Sequence, residues 1–396
     1  MKVLFLTAGM EPGRDGVGDY TRMLAEELSR RGHPSAVIAL NDPTVSPISR
    51  AVHDDGEGGA GQLRLPRTMP WRERLERAQR FVDAMKPDWA SLQFVAYGYH
   101  PKGMAAGLAG KFKPLIGGRP LHVMFHELWI GAHSGAEFKE RLTGMAQRFF
   151  VKRLLGALKP RVVHTSTSAY VHLLRQAGAP AERLPMFGAL PVTTEKADEW
   201  LLPELRKARL AVNEKIRPAY WLIGFFGTLH PVWPPEPFFS RLRDAATAHD
   251  KKVGLISIGR LGPGEALWDR LAEEYSDRFG FLKLGEQPAE KVSAVFNSLD
   301  FAVATTPASL IGKSATAAAM LEHDLPVIVN REDCPFKGVP PDADHRDGNI
   351  IRVNDEFAMR LGAAKPRHPK SRLPQIAERM LAALTAAGAR TSEAVR

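Results

Sequence analysis

Short apolar runs alternate with amphipathic stretches along almost the whole chain. In the first half, Val3–Thr7, Ser35–Leu40, Trp89–Phe94, Leu121–Phe125 and Arg161–Thr165 read as strands. Helical periodicity falls between them, at Asp19–Arg31, Pro70–Met85, Gly103–Gly110, Ala136–Leu158 and Ser168–Ala177. The second half repeats the scheme, with strands predicted at Trp221–Phe226, Lys252–Ile258, Phe279–Leu282, Phe301–Thr305 and Pro326–Asn330. Its helices are predicted at Pro235–Ala248, Gly264–Phe279, Pro288–Ser298 and Ser314–Glu322. Continuous apolar strands separated by helices mark parallel sheets covered on both faces.

Twice, an apolar strand runs into a glycine loop and then a helix. The first case is Val3–Thr7, the loop Gly9 to Gly18 and the helix from Asp19; the second is Trp221–Gly227, a proline-rich loop and the helix from Glu236. Such openings present backbone N–H groups to anionic ligands. The fold expected is therefore α/β, with two Rossmann-like domains facing an interdomain cleft. The divisions expected are 1–195, a charged linker at 196–218, a second domain at 219–373, and a helix at 374–396 free to cross back onto the first domain. Arg390–Arg396 is expected to fray. At 396 residues the chain can bury two separate cores.

Composition narrows the function classes. The chain is 44% hydrophobic and 25% charged, as expected of a globular protein. Its single cysteine, Cys334, excludes an intrachain disulfide and fits a reducing, cytoplasmic setting. Met1-Lys2 runs straight into a strand, so no signal peptide is expected, and no apolar run approaches the roughly 18–20 residues of a membrane span. The net charge of +10 favours anionic partners, among them nucleotide sugars, acidic lipids and polyanions. A nucleic-acid or polyanion binder remains a competing class on charge alone, but no nucleic-acid-binding motif accompanies it and no nucleic acid is expected as a partner.

The motifs carry the chemistry. Gly16 and Gly18 would let a sugar or phosphate approach main-chain amides, although Thr21 breaks the dinucleotide pattern; the alternative is a purely structural turn. Gly312-Lys313-Ser314 with Thr316 lies between a strand and a helix of small residues. Its amides, hydroxyls and ammonium suit a diphosphate; alternatively, Ser314 is a helix N-cap and Lys313 a solvated charge. Pro307 occupies the place of the first Walker glycine, which excludes that motif. His126 ends an apolar strand at the edge where α/β sheets bind ligands, and His230 follows Gly227-Thr228-Leu229. The thirteen histidines show no metal-ligand spacing, and no G-x-S-x-G elbow supports a hydrolase. The segment Phe138–Leu155 is basic and amphipathic, suited either to an anionic bilayer or to a core helix that buries Phe149, Val151 and Leu154; the segment from Arg72 to Arg80 reads the same way.

Gly16-Val17-Gly18-Asp19-Tyr20-Thr21, Leu24-Ala25-Glu26-Glu27-Leu28 and Arg31-Gly32-His33 resemble the opening of GT-B-fold, family 4-type glycosyltransferases. Leu92-Gln93-Phe94, Phe125-His126-Glu127, the stretch from Thr167-Ser168 to Gly178, Phe226-Gly227-Thr228-Leu229, Leu284-Gly285 to Asp300 and Leu325-Pro326-Val327-Ile328 continue the resemblance in family order. The resemblance implies a nucleotide-diphosphate sugar, a UDP- or GDP-sugar, as substrate with no cofactor, and hexosyl transfer with retention. It further implies a carbohydrate or lipid-linked acceptor, a role in polysaccharide biosynthesis, and a cytoplasmic enzyme in peripheral contact with the inner face of the membrane. By the same resemblance His126 meets the donor sugar. Gly227, Thr228, His230, Gly312, Lys313, Ser314 and Thr316 form the donor side, with Gly16 and Gly18 opposite. The chain departs from the family at four places. Ile311 and Ala319 replace the paired donor glutamates, and Thr228 and Trp233 stand near the diphosphate arginine and lysine. These departures also motivate a second reading, a GT-B-fold binding or partner protein without catalysis.

Overall fold

The structure is a computed structural model that describes residues 1–45, 53–54, 60–208, 210, 213, 215–332, 334–339, 348–363 and 366–394. By its internal contacts the chain divides into two compact units. Unit 1 comprises Met1–Met186, Phe336–Val339 and Leu373–Arg396, and unit 2 comprises Phe187–Pro335 and Pro340–Arg372.

Unit 1 runs β1 (Val3–Thr7), α1 (Gly16–Arg30), β2 (Ser35–Asp42), β3 (His53–Asp54), β4 (Gly61–Pro66), α2 (Trp71–Met85) and β5 (Trp89–Phe94). It continues through α3 (Leu108–Ile116), β6 (Leu121–Phe125), α4 (Phe138–Leu158), β7 (Val162–Thr165), α5 (Ser168–Gln176) and β8 (Ala181–Arg183). Its sheet has the order β3-β4-β2-β1-β5-β6-β7-β8, parallel except for the short β3 edge. All residues of β1, β2, β5 and β6 are buried, which is why their sequences are continuous rather than alternating apolar runs.

Unit 2 runs α6 (Asp198–Lys207), β9 (Tyr220–Phe226), α7 (Phe238–Ala248), β10 (Lys252–Ile258), α8 (Glu265–Glu274), β11 (Gly280–Lys283) and α9 (Ala289–Ser298). It continues through β12 (Phe301–Ala304), a 3₁₀ turn (Ala308–Lys313), α10 (Ala315–Glu322), β13 (Val327–Val329), β14 (Ile350–Arg352) and α11 (Phe357–Gly362). The sheet order β11-β10-β9-β12-β13-β14 is the doubly wound pattern, which reverses direction between β9 and β12. Alternate strand residues feed two cores. Leu222, Ile256, Ala302 and Val327 pack on one face, and Ile223, Leu255, Val303 and Ile328 on the other.

The last helix, α12 (Leu373–Ala394), belongs to unit 1, where it packs on α1 and β7. Its backbone stays helical to Ala394, past the frayed end expected at Arg390. The segment 196–218 is not a bare linker. Leu201 and Leu205, four apart on α6, are buried in the unit 2 core, and α6 packs against α9. The helix expected at Gly103–Gly110 forms later, at Leu108–Ile116, because Gly103 and Gly107 adopt left-handed backbone and turn the chain first. The expectation that Phe149 packs inward is overturned, since it is exposed on α4, while Val151 and Leu154 do pack inward. Strands β4, β8 and β14 lay outside the sequence reading; the last two are three residues each, too short for a periodicity.

Candidate active site

In both units the ligand edge expected of such sheets is the carboxyl edge at the reversal of strand order. In unit 1 this is the edge after β1 and β5, with β6 and β7 beside it.

In the first glycine loop the Gly18 amide is held within the chain and Gly18 is closely packed. Gly16 and Gly18 are in the first turn of α1, not in a loop, and the N-cap Asp15 carboxylate already accepts the Val17 and Gly18 N–H groups at 3.1 and 2.9 Å. A Cβ at Gly18 would sit 2.6 Å from Met10 Cα, so glycine there allows α1 to close on the loop after β1. Asp15 and Asp19 also make this helix start acidic, which disfavours a phosphate. The proposed sugar or phosphate contact of the Gly18 amide is thus replaced by an internal cap.

His126 lies one residue past β6, buried, its ring edge-on to Tyr20 at a centroid distance of 5.0 Å. Its Nε2 donates to Gln93 Oε1 at 2.9 Å, and the Gln93 amide nitrogen donates to Ser91 Oγ at 2.8 Å. Ser91 Oγ pairs with His122 Nδ1 at 2.8 Å, and His122 Nε2 with His164 Nδ1 at 3.1 Å. Gln93 Oε1 can only accept, which fixes the proton of the neighbouring imidazole. His126 carries its proton on Nε2, so its Nδ1 is a bare acceptor. Burial holds His126 at a pKa of about 3 and His164 at about 4, and pushes His122 well below its ordinary value. All three rings are therefore neutral at pH 7.

His126 Nδ1 is buried and has no hydrogen-bond partner among the described residues, and the same holds for Ser166 Oγ. Register pairs Phe125 with Thr165, so His126 and Ser166 stand at neighbouring strand ends. An unsatisfied buried polar atom costs about 1–3 kcal/mol. Two such atoms at a sheet's carboxyl edge suit a ligand that brings hydroxyl groups. Nδ1, an acceptor in a neutral ring, selects a hydroxyl donor and not a phosphate.

Ser91, Gln93, Ser166, His122 and His164 were not among the predicted site residues. The signal for them is positional. They and His126 occupy alternate positions on three adjacent strands, so they share one face of the sheet. Polar residues recurring at period two inside otherwise apolar strands mark such a row.

In unit 2, Gly227 follows β9 with φ +75°, and a Cβ there would lie 3.2 Å from Thr316 Cγ2. Thr305 Oγ1, just past β12, donates to Thr228 O at 3.2 Å, tying the two strand ends together at the reversal of strand order. Ser314 is the N-cap of α10; its Oγ accepts from Ala317 N–H at 3.2 Å and pairs with Thr316 Oγ1 at 2.9 Å. Gly227, Thr228, Ser314 and Thr316 therefore converge, with Gly312 and Lys313 closing the 3₁₀ turn that leads in. The Gly227 N–H is committed to Ile258 O at 2.9 Å and cannot serve a phosphate. His230 is exposed, and its Nδ1 accepts from Val232 N–H within its own turn. Trp233 explains the absence of a lysine. It is buried edge-on between Phe225 and Phe238, and anchors the loop after β9 as a core residue. Ile311 and Ala319 are likewise buried in the core.

A family model described as "Glycosyl transferase 4-like domain" matches residues 15–188. No curated protein matches the sequence. Among solved structures, the fold is similar to the catalytic domain of starch synthase IV from Arabidopsis thaliana bound to ADP and acarbose (11% identity, all of both chains, TM-score 0.56). It is similar to an α,α-trehalose-phosphate synthase (UDP-forming) from Burkholderia xenovorans in complex with glucose-6-phosphate (12% identity, 98% of this chain and 96% of that one, TM-score 0.54). It is also similar to Anabaena HepE in complex with UDP (15% identity, 85% of this chain and 82% of that one, TM-score 0.52). At these identities the likeness is one of fold.

Proposed function

We propose that this chain, a GT-B-fold protein whose residues 15–188 form a glycosyl transferase 4-like domain, transfers a hexosyl group from a nucleotide-diphosphate sugar to a carbohydrate or lipid-linked acceptor, with retention. The observation that carries the reading is the buried, neutral His126, whose lone acceptor at the sheet edge of that domain suits a sugar hydroxyl. Under this reading, Thr228, Ser314 and Thr316 with Lys313 receive the diphosphate in unit 2, and His126 orients the sugar. Catalysis then rests on placing the reacting carbon and stabilising the departing diphosphate. UDP, ADP and glucose-6-phosphate in the similar structures support the same ligand class.

The test is a thermal-shift panel of UDP, GDP, ADP and TDP with their glucosyl forms, followed by assay of nucleoside diphosphate release. A ligand at a hundred times its Kd stabilises the native state by about 2.7 kcal/mol, so one base should stand out clearly. Lys313→Ala should weaken that ligand about ten- to a hundred-fold, the loss of one charge-assisted contact. A panel without any shift would remove the reading. Ile311 and Ala319, which bring no carboxylate to the positions of the paired donor glutamates, favour a second reading, nucleotide binding without transfer. A clear shift with no diphosphate release and no glycosylated product on any acceptor would select it.

A further inference from the structure

Two basic side chains of unit 1 stand where neither a carboxylate nor the helix field offsets their charge. Arg74 and Lys111 are each the fourth residue of a helix, α2 and α3, and no side chain caps the N-terminus of either. That end of a helix dipole is positive and disfavours cations. Arg74 is 4% exposed, and Lys111 is half-buried. Among the described residues neither makes an ion pair. The carboxylates nearest in sequence are taken, Glu73 by Arg77 at 2.7 Å and Glu76 by Arg72 at 3.0 Å. Burial lowers the pKa of both cations, and the Arg74 charge adds to the lowering at Lys111.

The two cations share one aromatic neighbour and leave one guanidinium edge open. Arg74 Cζ lies 3.8 Å and Lys111 Nζ 4.0 Å from the Trp71 ring centre. Arg74 uses only Nη1, which donates to Leu40 O at 2.9 Å and to Asn41 Oδ1 at 2.6 Å, at the carboxyl end of β2. Its Nε is buried and, like Nη2, has no hydrogen-bond partner among the described residues. Nε and Nη2 together form an edge that can hold an oxyanion through two parallel hydrogen bonds. The Tyr99 hydroxyl is also buried without a partner among the described residues, and its phenol lies within electrostatic reach of Arg74. The loop that carries Tyr99 is tied to the same place. Asn41 Nδ2 donates to Gly98 O at 2.7 Å, and the Tyr99 ring meets Phe112, the neighbour of Lys111, edge-on at 5.4 Å.

We propose that Arg74, Lys111 and Tyr99 bind the phosphate group of a small ligand, either free phosphate or a phosphomonoester. The Nε–Nη2 edge and the Lys111 ammonium take its oxygens, and the Tyr99 hydroxyl donates a further hydrogen bond. A phosphate monoester carries about −1.5 to −2 charge at neutral pH and so balances two cations, whereas a carboxylate balances one. Lys111 and Trp71, both half-buried, form the side of the site that solvent reaches. In the sheet, β1 and β5 separate the end of β2 from β6 and His126, so this is a different place from the proposed sugar contact. The proposal goes beyond the transferase reading and does not depend on it.

The test is calorimetric titration of the full-length chain with inorganic phosphate, glucose-6-phosphate, glucuronate and glucose at constant ionic strength. Phosphate, glucose-6-phosphate or both should bind saturably, glucuronate about tenfold more weakly, and glucose not at all. Binding of phosphate itself marks a free-phosphate site, and binding of the sugar phosphate alone marks a phosphomonoester site. Lys111→Gln should weaken the bound phosphate compound about tenfold or more, and Tyr99→Phe about three- to tenfold. These two variants alter a half-buried side chain and a single hydroxyl, so both should fold. Arg74→Lys keeps the charge but removes the two-bond edge, and should also cost about tenfold; where it does not fold, the other two variants carry the test. Lys313→Ala, in unit 2, should leave this affinity unchanged, which separates the site from the proposed diphosphate contacts. The proposal is overturned if neither phosphate compound binds saturably to the wild-type chain, or if Lys111→Gln and Tyr99→Phe bind like wild type. It is also overturned if glucuronate binds equally well, or if Lys313→Ala abolishes the binding.

Discussion

Turnover should fall about ten- to a hundred-fold in His126→Ala, while affinity for the bare nucleoside diphosphate stays within about twofold. The hydrogen bond at stake is the one His126 Nδ1 would accept from a sugar hydroxyl. A contact that orients the reacting sugar is worth roughly 1.4–2.7 kcal/mol when its loss costs one to two decades in rate. The residues proposed to hold the diphosphate are all in unit 2, so its affinity should not register the change. Alanine would also open a cavity against Tyr20, and His126→Phe is the necessary companion, keeping a ring there without the acceptor. The reading further requires wild-type His126 to be the Nε2–H tautomer, neutral from pH 5 to 8, which imidazole ¹⁵N shifts report directly. If His126→Phe keeps full turnover, or if turnover and diphosphate affinity fall together, His126 is a structural residue.

Acidification should cost the chain on the order of 5 kcal/mol between pH 6.5 and 4 through its buried imidazoles. His126 and His164 are held at about 3 and 4, against about 6.5 in an unfolded chain, and His122 is lowered as well. Between those values the unfolded state binds more protons than the folded one. The histidine contribution is therefore complete above pH 6.5 and lost as pH falls through the folded values. Glu322, buried in unit 2, has the opposite sign. Burial raises its pKa to about 7 from 4.5, outweighing the hydrogen bonds that the Arg372 and Gly188 N–H groups donate to its carboxyl. There the folded state binds the extra proton between pH 4.5 and 7, so stability is lost as pH rises through 7. Glu322→Gln should accordingly raise stability at pH 8, by up to about 3 kcal/mol, and make the acid loss steeper because its counterweight is gone. Urea unfolding at pH 8, 6.5, 5 and 4 on both proteins measures this. Equal stability at pH 7 and pH 4.5 in the glutamine variant would show that the imidazoles are not buried neutral.

The acid-sensitive row and the exposed side of α4 both bear on what a sequence can show. Parallel strands buried on both faces are apolar at most positions, which made β1, β5, β6, β9 and β10 legible as runs and the two-unit α/β class legible from their alternation with helices. The position of His126 at a strand's end was legible for the same reason. α6 was hidden because a charged helix that buries only Leu201 and Leu205 has the composition of a linker. The exposed side of α4 was hidden differently. Apolar residues around most of a helix fit burial as well as exposure, and only the packing of Gly144 and Gln147 assigns the inward face.

The sequence by itself determined the strand and helix types, because those follow from local periodicity and from which positions can be dehydrated. Tertiary structure alone decided which polar groups have partners. Asp15 occupies the amides that Gly18 was expected to offer, and Trp233 fills the core beside the loop where a lysine was expected. Ser91, Gln93, His122 and His164 form a row that leaves His126 with one open acceptor. Hydrogen-bond satisfaction depends on distances of about 3 Å between residues far apart in the chain, and no local pattern of residue types encodes that distance.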